Sequence, residues 1–270
     1  PVDYAMNSGV LHSAISVGVI CPCEHNQKFA QFISGLNRQS QAKHNTDYLI
    51  SFPGFYRAFK TGLDLPDPSS SKWKQITASS EWDVHKAAVE FGDSITRKID
   101  QLSANSIDVI LIYIPKEYEV FTSYTDGTVN YDLHDYIKAY AAQKQIATQF
   151  VREKTIESDL HCQIMWALSL ALYVKSGRTP WVVNGIQPDT AFAGIGYSVM
   201  NGPSGSNVVI GCSHIYSSDG RGMKYKLSKI QDYSFDRKKN PYLSEEEAYR
   251  IGLNIKELFY KSFSELPKRV

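Results

Sequence analysis

The stretch "DVILIYIP", residues 108–115, is a continuous apolar run bounded by Asp108 and Pro115. A half-buried strand alternates apolar and polar residues. A run apolar at every place is buried on both faces, as in the centre of a parallel sheet. Upstream, residues 80–103 carry Trp82, Val84, Ala88, Phe91, Ile95, Ile99 and Leu102 at three-to-four spacing, which predicts a long helix with one buried face. Downstream, "SYTDGTVN" (123–130) reads as a loop, residues 132–145 as a helix and "ATQFV" (147–151) as a short strand. A further helix spans 158–177, with Ser158 or Asp159 as its cap and Gly177 at its end.

The same alternation extends towards the start of the chain. "AISVGVI" (14–20) reads as a buried strand and residues 26–36 as a helix with Phe29, Phe32, Ile33 and Leu36 on one side. "DYLISF" (47–52) and "WKQIT" (73–77) read as strands, separated in part by the loop "LPDPSSSK" (65–72). Strands alternating with helices predict a doubly wound, Rossmann-like α/β domain over roughly residues 10–182. Beyond it the texture changes. Residues 190–199, 207–217 and 223–231 predict three antiparallel strands, joined by "NGPSGS" and "SSDGRG". Ser244 and Glu247 form a capping-box pattern, and the helix behind them places Ala248, Ile251, Ile255, Leu258, Phe259 and Phe263 on one face. Three antiparallel strands followed by a helix open the ribonuclease H-like fold. That fold needs more strands than remain here, so the chain reads as truncated at its C-terminus. The expected domains are 1–182 and 183–270.

The chain has 270 residues, 43% of them hydrophobic, and its 29 Lys plus Arg against 28 Asp plus Glu leave a formal charge of +1. The apolar runs are too short to span a bilayer, and no signal-peptide pattern opens the sequence, so a cytoplasmic protein without membrane contact is expected. Nucleic-acid binders are often far more basic. Such a role here needs locally clustered charge or help from a partner chain. Cys21, Cys23, Cys162 and Cys212 lack a second ligand pair at zinc-finger spacing and read as reduced, buried thiols. No structural metal is expected.

One region gathers chemistry. His134 and Lys138 are four apart on the helix 132–145 and share a face; Gln149 follows on the next strand, and Lys175 ends the next helix. A phosphate monoester wants several converging donors, some cationic, and these types supply them: an imidazole, two ammoniums and an amide. Spacing alone leaves open that they are ordinary surface charges, since lysine at a helix C-terminus needs no ligand. A conventional α/β enzyme with His134 as base, or a protein-interaction scaffold, also remains open. No G-x-S-x-G elbow is present, and "NGPSGSN" lacks the G-K-[ST] ending of a phosphate loop.

The wider pattern narrows this. H-x-x-x-K, then T-Q-F-V, then a long apolar helix ending V-K-x-G-x-x-P-W resembles the middle (MID) domain of Argonaute and Piwi proteins. It is most similar to the short prokaryotic Argonautes, built of MID and PIWI domains only. The resemblance continues through "AGIGYS" and "NPYLSEEEAYRIGLNIKELF" into the PIWI domain, and is weakest over residues 30–80. It implies a Rossmann-like MID domain followed by the start of an RNase H-like PIWI domain. It also implies that His134, Lys138, Gln149 and Lys175 bind the 5′-phosphate of a guide strand. In relatives a divalent cation such as Mg2+ often bridges phosphates and the C-terminal carboxylate; that chain end is not recognisable here.

In the family the first metal-binding Asp of the nuclease sits on the first PIWI strand in a pattern like G-I-D. Gly196 stands at that place, and neither Asp189 nor Asp219 fits the pattern, so the resemblance implies no catalytic residue and no slicing. It further implies a guide RNA and a complementary target DNA. An APAZ-type partner protein, carrying a sirtuin-like, TIR or nuclease effector, would be switched on against phage or plasmid. Candidate backbone contacts are Arg152, Lys154, Arg178, Arg237, Lys238 and Lys239, with solvated surface charge as the alternative reading of each. Tyr136 and Tyr140 are candidates for base stacking, or else boundary residues of the core.

Overall fold

A computed structural model describes residues 14–43, 49–77, 83–127, 129–181, 185–187, 190–196, 198–202, 205–210, 213–217, 222–224, 228–237 and 240–262. The chain divides into two compact units, Pro1–Pro180 and Trp181–Val270, beside the boundary expected after residue 182.

The first unit is built on a parallel sheet. Strand β1 (Ile15–Pro22) leads to helices α1 (Asn26–Ser34) and α2 (Phe55–Phe59), and on to strands β2 (Leu63–Asp64) and β3 (Trp73–Ile76). Helix α3 (Val84–Ser103) precedes strand β4 (Val109–Ile114). A hairpin, β5 (Ser123–Asp126) and β6 (Val129–Asp132), leads into α4 (Leu133–Gln143), β7 (Ala147–Arg152), α5 (Glu153–Ile156) and α6 (His161–Lys175). β4 lies between β1 and β7; β2 pairs with the start of β1 and β3 with its end. The register sets Val17 beside Val109 and Leu111 beside Gln149.

All six residues of β4 are buried, and they divide by face. Val109, Leu111 and Tyr113 join one core with Val17, Val19, Phe29, Phe59 and Leu172. Ile110, Ile112 and Ile114 join the other with Phe91, Ile95, Ile99, Leu133 and Ile137. Helices α1, α2 and α6 thus cover one side of the sheet and α3 and α4 the other. That double cover is why the β4 sequence is apolar throughout.

Helix ends follow local chemistry. The Asp83 carboxylate accepts the N–H groups of His85 and Lys86 at 2.9 and 3.4 Å, and Asp132 accepts that of Asp135 at 2.9 Å. Asp132 therefore caps α4 rather than beginning it. The cap expected for α6 is not formed: Leu160 takes the capping place with no side-chain bond, while Ser158 accepts the Leu160 N–H at 3.2 Å. Gly177, with φ of +77°, ends α6 as expected.

Two local expectations are corrected. Of residues 123–130, read as a loop, residue 128 lies outside the described residues, while 123–126 and 129–130 pair in the β5–β6 hairpin, with Gly127 at φ of +57° after β5. Tyr124 and Tyr131 face each other across it with ring centroids 5.2 Å apart, so cross-strand stacking favours pairing. The strand expected at 47–52 is reduced to a single bridge between Ser40 and Phe52; residues 47 and 48 lie outside the described residues. The buried thiols are Cys21 and Cys162; Cys23 is exposed, and Cys212 lies outside the described residues.

In the second unit, strands form along the three expected stretches. They appear as β8 (Ala191–Ile195) and β9 (Ser198–Gly202), β10 (Gly205–Ile210) and β11 (Ser213–Ser217), β12 (Gly222–Lys224) and β13 (Ser228–Lys229). β11 pairs with β8 and β12, and β10 with β9 and β13, all antiparallel. A hairpin of β14 (Tyr233–Phe235) and β15 (Pro241–Leu243) then precedes α7 (Glu245–Ser262). α7 buries Ile251, Leu258 and Phe259, but Ala248 is exposed and Phe263 lies outside the described residues. Only half of the capping box forms: Ser244 accepts the Glu247 N–H at 3.3 Å, while the Glu247 carboxylate takes the Gln231 N–H at 3.1 Å. Among the described residues no helix is long and apolar enough to cross a membrane.

Candidate functional site

α4 runs directly into edge strand β7, and α6 returns alongside it, so Lys138, Gln149 and Lys175 meet. Their meeting point is Thr148, buried on β7. The Lys138 ammonium donates to the Thr148 carbonyl and, at 3.0 Å, to its hydroxyl. The Lys175 ammonium donates to the same carbonyl at 2.7 Å and to Gln149 Oε1 at 2.6 Å. Gln149 Nε2 donates to the Phe150 carbonyl at 2.8 Å, leaving its second hydrogen for another acceptor.

His134 stands beside this group without hydrogen-bonding to it. Its ring centroid lies 5.4 Å from that of Phe150, and the Lys138 ammonium lies 6.0 Å from the same ring. Its Nδ1 is 3.2 Å from Asp135 Oδ1, and its side chain is about half exposed.

The electrostatics are unusual. Two half-buried ammoniums share one carbonyl, and among the described residues no carboxylate pairs with either. Burial lowers the Lys138 pKa. Burial, and then the charge of Lys138, lower Lys175 from its ordinary 10.5 to about 8. A buried like-charged pair without a counter-ion is costly, and an anion would relieve it. The cluster supplies no carboxylate, so it does not fit a Mg2+ ion. The acids that accompany His134 are Asp132 and Asp135, both exposed at the start of α4.

The other candidates are not gathered here. Arg152 and Lys154 are exposed near the far end of β7, with Arg152 roughly 10 Å beyond Gln149 at strand spacing. Arg178 is committed elsewhere, donating to Thr61 Oγ1 at 2.7 Å. Tyr136 and Tyr140 donate at 2.6 Å to Asp93 and Asp100 on α3, which makes them ties between α3 and α4 rather than free stacking surfaces. In the second unit, Arg237 is exposed in the β14–β15 turn, which is closed by the Asp236 N–H on the Asn240 carbonyl at 3.0 Å; Lys238 and Lys239 lie outside the described residues. Gly196 is exposed just past the end of β8, whose last pair is Ile195 with Ser213, so it is not itself a strand residue. Asp189 and Asp219 lie outside the described residues. Thr148, the hub of the cluster, was not foreseen. Its contribution is largely a backbone carbonyl, and the only sequence signal was its place in T-Q-F-V.

No family model and no curated protein matches the chain. Among solved structures, it is similar to Argonaute and Piwi proteins. Clostridium butyricum Argonaute, bound to a guide DNA and a 19-mer target DNA, is 16% identical with a TM-score of 0.49, over 96% of this chain and 32% of that one. Drosophila Piwi is 14% identical with a TM-score of 0.48, over 94% and 28%. Aquifex aeolicus Argonaute is 16% identical with a TM-score of 0.47, over 96% and 32%. The chain thus spans about a third of the length of these proteins.

Proposed function

We propose that this chain is a guide-binding Argonaute-like module whose first unit anchors the 5′-phosphate of a guide strand. The observation that carries the reading is the pair of half-buried ammoniums, Lys138 and Lys175, converging beside Gln149 with no carboxylate partner among the described residues. A terminal phosphate brings close to two negative charges and several acceptor oxygens to that place. Lys138 and Lys175 bind it as cations, Gln149 offers its spare amide hydrogen, and His134 closes the outer side. The two lysines balance the charge, and nothing in the reading is routed through Mg2+.

The second unit, in this reading, is a PIWI-like start that does not slice, because glycine at position 196 has no side chain to ligate a metal. Base pairing supplies sequence specificity while the protein positions the backbone. The guide is RNA and the target DNA. Pairing activates an APAZ-type partner with a sirtuin-like, TIR or nuclease effector in defence against invading nucleic acid. The near-neutral charge of +1 suits a complex in which that partner lines part of the channel.

Purification with the partner, followed by end-group analysis of bound nucleic acid, tests the anchoring role. Wild type should carry short 5′-phosphorylated strands and Lys138→Ala should not. Protein free of nucleic acid in both forms would count against it. Metal-dependent cleavage of a complementary strand by pure wild type would overturn the non-slicing assignment.

A further inference from the structure

The two lysines of the cluster reach β7 from opposite sides of the sheet. Phe150 packs with the core that holds Leu133 and Ile137 of α4, and Val151 with the core that holds Leu172 of α6. Side chains alternate along a strand, so the even residues of β7 face α4 and the odd ones face α6. Thr148 thus meets Lys138 of α4, and Gln149 meets Lys175 of α6. β7 is the last strand of its sheet, and around its open edge both ammoniums reach the one Thr148 carbonyl.

An ammonium has three N–H donors on a long flexible stem, so a single acceptor fixes its place but not its rotation. Lys175 has two acceptors, the Thr148 carbonyl and Gln149 Oε1. Lys138 also has two, and both belong to Thr148: the carbonyl and, at 3.0 Å, the hydroxyl. Each lysine then has one N–H left over among the described residues, beside the second hydrogen of Gln149 Nε2. Thr148 itself is only 2% exposed, so its hydroxyl acts through Lys138 and not on anything bound outside. Valine would suit the strand and the space equally well; what threonine adds is the second acceptor.

We propose that Thr148 is a positioning residue of the 5′-phosphate site: its carbonyl joins the two ammoniums, and its hydroxyl turns Lys138 so that the remaining N–H is presented to the phosphate. The assignment rests on the anchoring reading above and adds to it a residue that touches no part of the guide. Loss of the hydroxyl has its own signature. A bond accepted from an ammonium favours the charged form. Without it Lys138, whose pKa burial already lowers, sheds its proton at lower pH.

The test compares a short 5′-phosphorylated RNA with its 5′-hydroxyl twin on the complete protein and its partner, in wild type, Thr148→Val and Thr148→Ser, from neutral pH to 9.5. Thr148→Val should cut the preference for the phosphate by about tenfold, with binding of the hydroxyl twin unchanged. The pH at which the preference fades should also move down. Thr148→Ser, which keeps the hydroxyl, should restore both. The hydroxyl twin reports the folded fraction of each variant, so a variant that folds poorly is recognised. A wild-type preference kept in full by Thr148→Val would overturn the positioning role and leave the anchoring role standing. Equal losses in Thr148→Val and Thr148→Ser would also overturn it, assigning the effect to packing. No preference in wild type would remove the anchoring role, and this inference with it.

Discussion

Replacing Lys138 by methionine removes one of two ammoniums that crowd the Thr148 carbonyl while keeping the length of the side chain. The fall of Lys175 from 10.5 to about 8 measures the strain of that crowding together with burial. Such a fall would be worth roughly 3 kcal/mol for a fully desolvated group. Both lysines are only half-buried, and part of the fall is burial that the substitution leaves in place. Discounted for solvent screening, the relief is about 1 kcal/mol. Lys138→Met should therefore make the nucleic-acid-free protein more stable by about 1 kcal/mol in urea denaturation, because Lys175 still satisfies the Thr148 carbonyl.

The sign with pH follows from the same pair. Lys175 has a depressed folded pKa, so between about 8 and 10.5 the unfolded chain binds more protons and wild-type stability rises across that window. Lys138→Met should flatten the rise. The same substitution should weaken binding of 5′-phosphorylated RNA by ten- to a hundredfold, since a hydrogen bond to a charged group contributes about 1.5–3 kcal/mol. Destabilisation by more than about 1 kcal/mol with unchanged RNA affinity would refute the reasoning. The lysines would then be structural props of the β7 edge.

Binding of 5′-phosphorylated RNA should fall as pH rises through about 8, where free Lys175 loses its proton; affinity titrations from neutral pH to 9.5 would record it, and Lys175→Arg should remove the fall because arginine stays charged. Ile112→Ala opens a void in the core between β4 and the helices α3 and α4, and should cost about 2–5 kcal/mol by denaturant midpoint. Asp83→Ala removes the α3 cap and should cost about 1 kcal/mol, read the same way.

The fold was legible where burial dictates residue type at every place. β4 is apolar throughout because both faces are covered, and the stripe of α3 from Phe91 to Leu102 announces one buried side. It was less legible where pairing rests on a few contacts. The β5–β6 hairpin is held by the stacked rings of Tyr124 and Tyr131 amid Ser, Asp and Thr residues that read as loop. The site was half legible. The four-residue spacing of His134 and Lys138 fixes a shared helix face, but sequence does not show that Lys138 turns inward while His134 stays exposed. Nor does it show that both lysines converge on a backbone carbonyl, since every residue has one.

The central claim is met most directly by comparing a short RNA bearing a 5′-phosphate with its 5′-hydroxyl twin, using the complete protein with its partner, in wild type and Lys138→Ala. A strong wild-type preference for the phosphate that disappears in Lys138→Ala is the predicted result. Equal binding of the two RNAs by wild type would contradict the account, and the cluster around Thr148 would not be a 5′-phosphate site.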